Sequence, residues 1–150
     1  METREFKILF GSVAKEHGFT PAYGGWYLET PTGLFVLNLQ KSNFGNYFEL
    51  NLKLFLGLQL SSNGVELKKT VKSFSGDIFR RQPEEFREIF DLDAEISLSD
   101  RRKLLEKLFA ELIDRMASGF ASQAEILRLR DEGVIFLLPT IEARVNKLTS

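Results

Sequence analysis

The residue best suited to acid–base or metal chemistry is the single histidine of this chain, His17. A metal site or a Ser-His-Asp triad needs further ligands or a nucleophile beside the ring. No carboxylate lies three or four residues from His17, and the chain has no Gly-x-Ser-x-Gly nucleophile motif. We therefore predict that His17 ends a helix, where the dipole favours a cation, and we assign no catalytic residue and no metal ligand.

An acidic run is the second candidate for chemistry, and Arg87 is its only cation. Its members are Glu84, Glu85, Glu88, Asp91, Asp93, Glu95 and Asp100. Paired carboxylates can bind a divalent cation or act as an acid and a base. The spacing of Asp91, Asp93 and Glu95 resembles the start of a calcium loop, but the glycine and the terminal glutamate of such a loop are missing. We predict a solvated helix and connector, because like-charged runs usually face water.

Composition excludes several further classes of site. The chain has no cysteine, which removes disulfides, thiol nucleophiles and cysteine-ligated metals. Neither glycine pattern of the common phosphate-binding loops is present, so we expect no cofactor. The formal net charge is −1, which gives no reason to expect a nucleic acid partner. Lys68-Lys69 and Arg80-Arg81 are better explained as cations that protect strand edges from aggregation.

The chain also lacks signals for a membrane. The N-terminus has no basic segment followed by an apolar run, so no secretory signal is evident. The longest apolar candidate, residues 133–139, is far below the ~18 residues that a membrane span needs. We predict a soluble, cytoplasmic protein of one domain, residues 1–150.

The elements that position these side chains begin with a helix over Thr3–His17. Its apolar residues recur at spacings of three and four, Thr3 can cap its start, and Gly18 suits its end. Period two then predicts a strand at Trp26–Glu29 and another that begins at Phe35. A turn at Thr30–Gly33 would pair Leu28 with Phe35 and Trp26 with Leu37.

A third strand is predicted over Tyr47–Leu60, with Gly57 as a site for a bend. A six-residue loop, Lys41–Asn46, would pair Leu39 with Phe48, Leu37 with Leu50 and Phe35 with Leu52; a five-residue loop with a bulge is the alternative. Asn63-Gly64 predicts a tight hairpin into a fourth strand that begins at Val65. Residues Asp77–Arg81 either extend that strand or form a fifth.

The rest of the chain is predicted to be helical. Pro83 opens a short helix, Ser97 or Ser99 caps a long one that ends at Ser118-Gly119, and Ser122 with Glu125 caps another that Gly133 closes. Val134–Leu138 is a buried strand or an apolar strap, and Thr140–Leu148 adds a final helical turn or two. The fold class is α+β: an N-terminal helix, an antiparallel meander of four or five strands, and C-terminal helices on one face.

The other face of the sheet is the candidate binding site. The alternation places polar and aromatic side chains outward, where amides and tyrosine can make adaptable contacts with a partner. The predicted binding residues are Asn38, Gln40, Tyr47, Glu49, Asn51, Lys53 and Phe55. The alternative is an ordinary solvated face with cross-strand pairs.

One segment carries a resemblance to a known family. Gly18-Phe19, the Trp26-Tyr27-Leu28 strand and the run Asn38-Leu39-Gln40-Lys41-Ser42-x-Phe44-Gly45-x-x-Phe48-x-Leu50-Asn51 are similar to the domain-of-unknown-function family 4304. The resemblance covers the first 60 residues or so and extends loosely into the helical half. It implies a mostly bacterial α+β domain and assigns no catalytic residue.

Two hypotheses for function follow. The first is a non-catalytic interaction domain whose sheet face binds a protein or peptide. Toxin-neutralising immunity proteins of bacteria include small acidic α+β proteins of this sort and serve only as an analogy. The second is a small-ligand binder or hydrolytic enzyme with a pocket between sheet and helices, using Asn51, Arg80, Arg81 and the carboxylates near Asp91.

Overall fold

The computed structural model describes residues 1–60 and 64–148. Its elements follow the chain as helix α1, strands β1 to β4, helix α2, strand β5 and helices α3 to α7. Their bounds are α1 Thr3–Glu16, β1 Thr20–Ala22, β2 Gly25–Thr30, β3 Gly33–Lys41, β4 Phe48–Leu56, α2 Gly64–Lys72, β5 Ile78–Arg81, α3 Arg87–Phe90, α4 Leu98–Leu108, α5 Asp114–Gly119, α6 Gln123–Asp131 and α7 Pro139–Asn146. The predicted α+β class is confirmed.

Helix α1 has the predicted apolar stripe, which is buried at Phe6, Phe10 and Val13. Its cap is Glu2, in a capping box with Glu5, and the predicted cap Thr3 is instead the first helical residue. Gly18 follows the helix with φ +92°. The Gly18 and Phe19 amides donate to the carbonyls of Lys15 and Ala14, which is the hydrogen-bond pattern of a Schellman motif.

The five strands form one antiparallel sheet in the order β1-β2-β3-β4-β5. The predicted pairs Leu28 with Phe35 and Trp26 with Leu37 are confirmed. Strand β1 was not predicted, because three residues are too short for a period-two pattern to show. Strand β4 ends at Leu56, four residues before the predicted end, because Gly57 turns the chain with φ +76°.

The predicted register between β3 and β4 is wrong by two residues. Leu39 pairs with Leu50, Leu37 with Leu52 and Phe35 with Leu54. The loop has six residues, as predicted, but it spans 42–47. Because a shift of two residues keeps every side chain on its own face, the predicted faces are nevertheless correct.

The predicted strand at Val65 is wrong, because Gly64–Lys72 is helix α2. Leu67 and Val71 lie four residues apart and face the sheet together, in a cluster with Leu34 and Val36. The strand that pairs with β4 is β5, within the segment Asp77–Arg81 that the sequence left open. Asn63 of the predicted hairpin lies outside the described residues.

The helical half follows the prediction closely. A 3₁₀ turn at Glu84–Phe86 leads into α3, and the Ser97 hydroxyl caps α4 by accepting a hydrogen bond from the Asp100 amide. A π turn at Phe109–Ile113 joins α4 to α5, and we call the continuous unit Leu98–Gly119 the long helix. Residues 134–138 form no strand and lie as an extended strap before α7.

The main core lies between one face of the sheet and α1, α3 to α7 and the strap. We call this the inner face. On the opposite, outer face, α2 covers Leu34 and Val36 and makes a second, smaller cluster. Among the described residues, no helix is both long and apolar enough to cross a membrane.

Candidate functional site

The predicted binding residues separate into two groups by exposure. Gln40, Tyr47, Glu49 and Phe55 are half-buried. The predicted solvent exposure of the other three is wrong, because the end of α2 covers two of them and the Arg81 side chain covers the third. Those three are Asn38, Asn51 and Lys53, the last two with no exposed surface.

Two of the buried residues, Lys53 and Asn38, hold helix α2 in place. The Lys53 ammonium donates to the carbonyls of Val71, at 3.0 Å, and Ser73. The Asn38 amide donates to the same two carbonyls, at 3.2 and 3.3 Å. These carbonyls belong to the end of α2, where helix carbonyls lack partners and attract cations. We call the part of the outer face that α2 covers the covered half.

Lys53 is buried without a carboxylate partner among the contacts described for it. Burial lowers the pKa of its ammonium to about 8, because the charged form loses hydration that neutral carbonyls replace only in part. Its side chain is therefore part of the structural support of α2 and is not accessible to a partner while α2 is in place.

Beyond α2, a row of polar side chains crosses three strands. Asn51 of β4 pairs with Asn38 of β3 and with Arg81 of β5. Its amide nitrogen donates to the Gln40 side-chain oxygen at 3.1 Å, and its oxygen accepts from Arg81 Nε at 3.2 Å. Arg81 is exposed and covers the row from solvent. We call this part of the outer face, with Gln40, Glu49, Asn51 and Arg81, the open end.

Gln82 fixes the edge of the open end. Its side-chain oxygen accepts from the Leu50 amide at 2.7 Å, and its nitrogen donates to Glu49 at 2.8 Å. The first contact satisfies a backbone donor on the side of β4 where β5 has ended, while β3 pairs with the other side. The open end thus presents a carboxylate and a guanidinium on a framework of hydrogen-bonded amides.

The loop between β3 and β4 is held by hydrogen bonds from both of its ends. The Ser42 amide donates to the Tyr47 carbonyl at 2.9 Å, and the Phe44 amide donates to Ser42 Oγ at 2.9 Å. Lys41 Nζ lies 2.6 Å from Asn46 Oδ1. Within this constrained loop the Phe44 side chain is 95% exposed. An aromatic ring is thus held in water with no core contact to explain its position.

A cleft of about 520 Å³ lies beside the loop. Its lining residues are Gly45, Asn46, Tyr47, Glu84, Arg87, Glu88, Asp91 and Asp93. The Arg87 guanidinium lies 5.6 Å from the centre of the Tyr47 ring, within range of a cation–π contact. The cleft is therefore bounded by an aromatic ring on one side and mostly by carboxylates on the other.

Hydrogen bonds join the two walls of the cleft. The side-chain nitrogen of Asn46 donates to Asp93 Oδ1 at 2.8 Å, and the backbone amide of Leu92 donates to the backbone carbonyl of Asn46 at 2.9 Å. Asp91 Oδ1 accepts from the Asp93 amide at 3.0 Å. Of the aspartates that resembled a calcium loop in sequence, Asp93 therefore joins the connector, residues 91–97, to the loop, and Asp91 accepts a hydrogen bond within the connector.

Arg101 supports the connector from beneath. Its side chain is 1% exposed and donates to the carbonyls of Ile89, Asp91 and Ala94. Burial lowers its pKa, while the charges of Asp91 and Glu88 act in the opposite direction. A cation in the first turn of a helix opposes the helix dipole, and the three carbonyls and the acidic connector compensate for that conflict.

The side chains proposed for an enzymatic pocket do not all come together in one place. Arg80 points to the inner side, where Nη1 donates to the Val134 carbonyl at 2.7 Å. Asn51 and Arg81 bond each other on the outer face, and Asp91 lies at the cleft. Large apolar side chains of the main core occupy the space between the sheet and the helices.

Two features of this region were not predicted from the sequence: the exposed Phe44 ring and the contribution of Arg81. Phe44 lies between Asn43 and Gly45 in a turn, where an aromatic residue does not fit the usual turn preference for small and polar residues. That conflict was the available signal. No local sequence signal indicated that Arg81 contributes to the open end, because its partners Asn51 and Gln40 lie 30 and 41 residues away in the chain.

Comparison with known proteins places the region within a family. No curated protein and no solved structure was found to match the chain. The model of the Domain of unknown function (DUF4304) matches residues 10–121, which include the loop, the cleft, the open end and the long helix. The chain therefore belongs to the DUF4304 family.

Proposed function

We propose that this chain is a cytoplasmic protein-binding domain that does not catalyse a reaction. Its contact surface is the β3–β4 loop, the adjacent cleft and the open end of the sheet. The observation that carries the proposal is the Phe44 side chain, 95% exposed on a loop fixed by hydrogen bonds.

A rigid exposed ring suits binding for two physical reasons. Aromatic side chains dominate the energetics of protein interfaces, because each buries a large area with few rotatable bonds. A loop already fixed in the free protein loses little conformational entropy when a partner binds. The Ser42, Asn46 and Lys41 contacts therefore lower the cost of burying Phe44.

The surroundings of Phe44 provide the polar part of an interface. Tyr47 lines the cleft, while Gln40, Glu49 and Arg81 supply amide, carboxylate and guanidinium groups at the open end. Polar residues around a central aromatic anchor are the common arrangement at protein interfaces. Of the other predicted residues, Asn51 would support this surface from below, whereas Asn38, Lys53 and Phe55 lie in the covered half, beside α2.

The test uses a display library made from genomic fragments of the source organism. Ligands selected on the wild-type protein are titrated against Phe44→Ala and Tyr47→Ala. The matched control is Phe136→Ala, which removes a phenylalanine that is 72% exposed on the strap. We expect Phe44→Ala to raise Kd by about tenfold or more and the control to leave it unchanged.

Stability must be measured in parallel to keep the result specific. Truncating exposed Phe44 should change the free energy of unfolding by less than about 0.5 kcal/mol, so weaker binding cannot be attributed to unfolding. The proposal is wrong if the selection yields no ligand, or if every selected ligand binds both variants as tightly as the wild type.

A further inference from the structure

His17 is held between two carboxylates of the long helix. Its Nδ1 lies 2.8 Å from Asp114 Oδ2, and its Nε2 lies 3.0 Å from Glu106 Oε2. The ring also packs against Phe109, with 4.9 Å between ring centres. These three residues come from α4, the π turn and α5, so the last turn of α1 is joined to the middle of the long helix.

The π turn explains how both carboxylates reach one ring. Asp114 lies eight positions after Glu106, and eight steps of about 100° leave two α-helical side chains about 80° apart. A π turn accommodates one extra residue. With it, the two carboxylates are related as though by seven steps and lie within about 20° of the same face.

The stereochemistry of these contacts determines the protonation state of His17. An ionised carboxylate can only accept hydrogen bonds, whereas a neutral imidazole donates from one nitrogen only. Both contacts can be hydrogen bonds only when both ring nitrogens carry protons. We propose that His17, Glu106 and Asp114 form a proton-dependent clamp that fixes the end of α1 to the long helix while the ring is an imidazolium.

The charges around the ring agree with this assignment. Burial acts to lower the pKa of His17, but hydrogen bonds and charge from Glu106 and Asp114 outweigh it and raise the pKa above 6.5. The hydrogen bond from His17 in turn lowers the pKa of Glu106.

Other charged groups face the clamp from both helices. From the long helix, Arg102 lies 3.8 Å from Glu106 and also forms a 2.5 Å ion pair with Glu16 of α1. Lys15 of α1 lies in the same last turn. The charge of Arg102 also acts to lower the pKa of Glu106, and its ion pair with Glu16 leaves the two helices with a second contact when the ring loses its proton.

The direction of the pH effect follows from the sign of the shift. Because the pKa is higher in the folded protein than in the unfolded chain, the stabilisation is complete below pH 6.5 and is lost as pH rises through the folded value. When the ring loses a proton, one nitrogen directs a lone pair at a carboxylate, and that contact becomes repulsive. The end of α1 then loosens while its apolar stripe remains packed.

The experiment is direct because His17 is the only histidine in the sequence. Nitrogen-15 NMR of the intact chain reports whether each ring nitrogen carries a proton, and a pH titration gives the pKa of the ring. We expect the doubly protonated ring to make up more than half of the molecules at pH 6.5. Glu106→Gln and Asp114→Asn should each lower the pKa by about 0.5 or more. The matched control is Glu111→Gln, an exposed carboxylate of the π turn, which should leave it unchanged.

A second measurement separates a proton-dependent clamp from a simple packing contact. Amide hydrogen exchange in the last turn of α1, corrected for intrinsic rates, should increase several-fold as pH rises through the His17 pKa. In His17→Gln the corrected exchange should be independent of pH. A pKa at or below 6.5, an unchanged pKa in both carboxylate variants, or corrected exchange that does not vary with pH in the wild type would overturn the proposal.

Discussion

The covered half and the open end of the outer face each hold one cation. The two cations lie on neighbouring strands of the sheet, but one is buried and the other is exposed. Lys53 pairs with Phe79, and Asn51, two residues before it, pairs with Arg81. Lys53 is fully buried under the end of α2 and bonds backbone carbonyls. Arg81 is exposed and bonds the Asn51 and Gln40 amides. The two cations differ in what covers them: α2 lies over Lys53 of the inner strand β4, whereas Arg81 lies uncovered on the edge strand β5.

The difference shows that alternation determines the face of a side chain but does not determine its exposure. Both positions have polar residues that period two assigns to the outer face. Helix α2 then removes one of them from water, so its polar groups must find partners within the protein. Polar residues in the covered half maintain the fold, whereas Gln40, Glu49 and Arg81 of the open end retain exposed surface.

The comparison is tested most strongly by truncating one cation at a time. Lys53→Ala leaves a cavity and removes a donor from the carbonyls at the end of α2, so we expect unfolding to become easier by about 2–3 kcal/mol. Arg81→Ala removes an exposed group whose place water can take, and we expect a loss below about 1 kcal/mol. Urea denaturation followed by circular dichroism measures both.

Equal losses in the two variants would show that the two regions do not differ energetically. Lys53→Met is a useful control, because it keeps most of the side-chain volume without the charge. We expect it to be less destabilising than Lys53→Ala, since the methionine fills the cavity and carries no buried ammonium.

A second comparison uses one glycine beneath α2 and one glycine of the β3–β4 loop beside the open end. A Cβ at Gly25 would lie 2.7 Å from Val71 Cγ1 of α2 and 2.9 Å from the Leu37 carbonyl oxygen. A Cβ at Gly45, in the β3–β4 loop, would meet only the Tyr47 ring, at 3.0 Å. We expect Gly25→Ala to cost about 2 kcal/mol, because neither α2 nor the β3 backbone can move freely.

Gly45→Ala should cost below about 1 kcal/mol, because the Tyr47 ring can turn aside and alanine restricts the unfolded chain. Urea denaturation measures both losses. Amide exchange in α2 should also rise in Gly25→Ala alone. Similar exchange in the two variants would mean that α2 does not depend on close approach to the sheet.

Much of the fold could be predicted from the sequence, and the errors have physical causes. Period two identified the strands and their faces, but it is unchanged by a shift of two residues, so the β3–β4 register could not be determined from it. The segment after Asn63-Gly64 was predicted as a strand, although Leu67 and Val71 have helical spacing. A nine-residue element is short enough for either interpretation.

Less of the candidate site was predictable, because it depends on contacts between distant segments. The sequence identified Gln40, Tyr47 and Glu49 as outward-facing, and they are half-buried on that face. It could not show that α2 would cover Lys53. Nor could it show that His17 would meet Glu106 and Asp114, which lie 89 and 97 residues away and are not at a regular helical spacing.

The smallest expected effect is the pH dependence that Lys53 gives to the covered half. Its pKa is about 8 in the folded protein and 10.5 in an unperturbed lysine. Between these values the unfolded chain binds more protons, so the free energy of unfolding should rise with pH. Water can reach the ammonium when α2 opens locally, so we expect a gain on the order of 1 kcal/mol, well below the full shift.

Urea denaturation of wild type and Lys53→Met from pH 7 to 10.5 isolates this contribution, because every other titrating group is common to both. Lys68→Met, which changes an exposed lysine of α2, should follow the wild type. If the difference between wild type and Lys53→Met does not change with pH, Lys53 is hydrated in the folded protein, and the covered half resembles the open end after all.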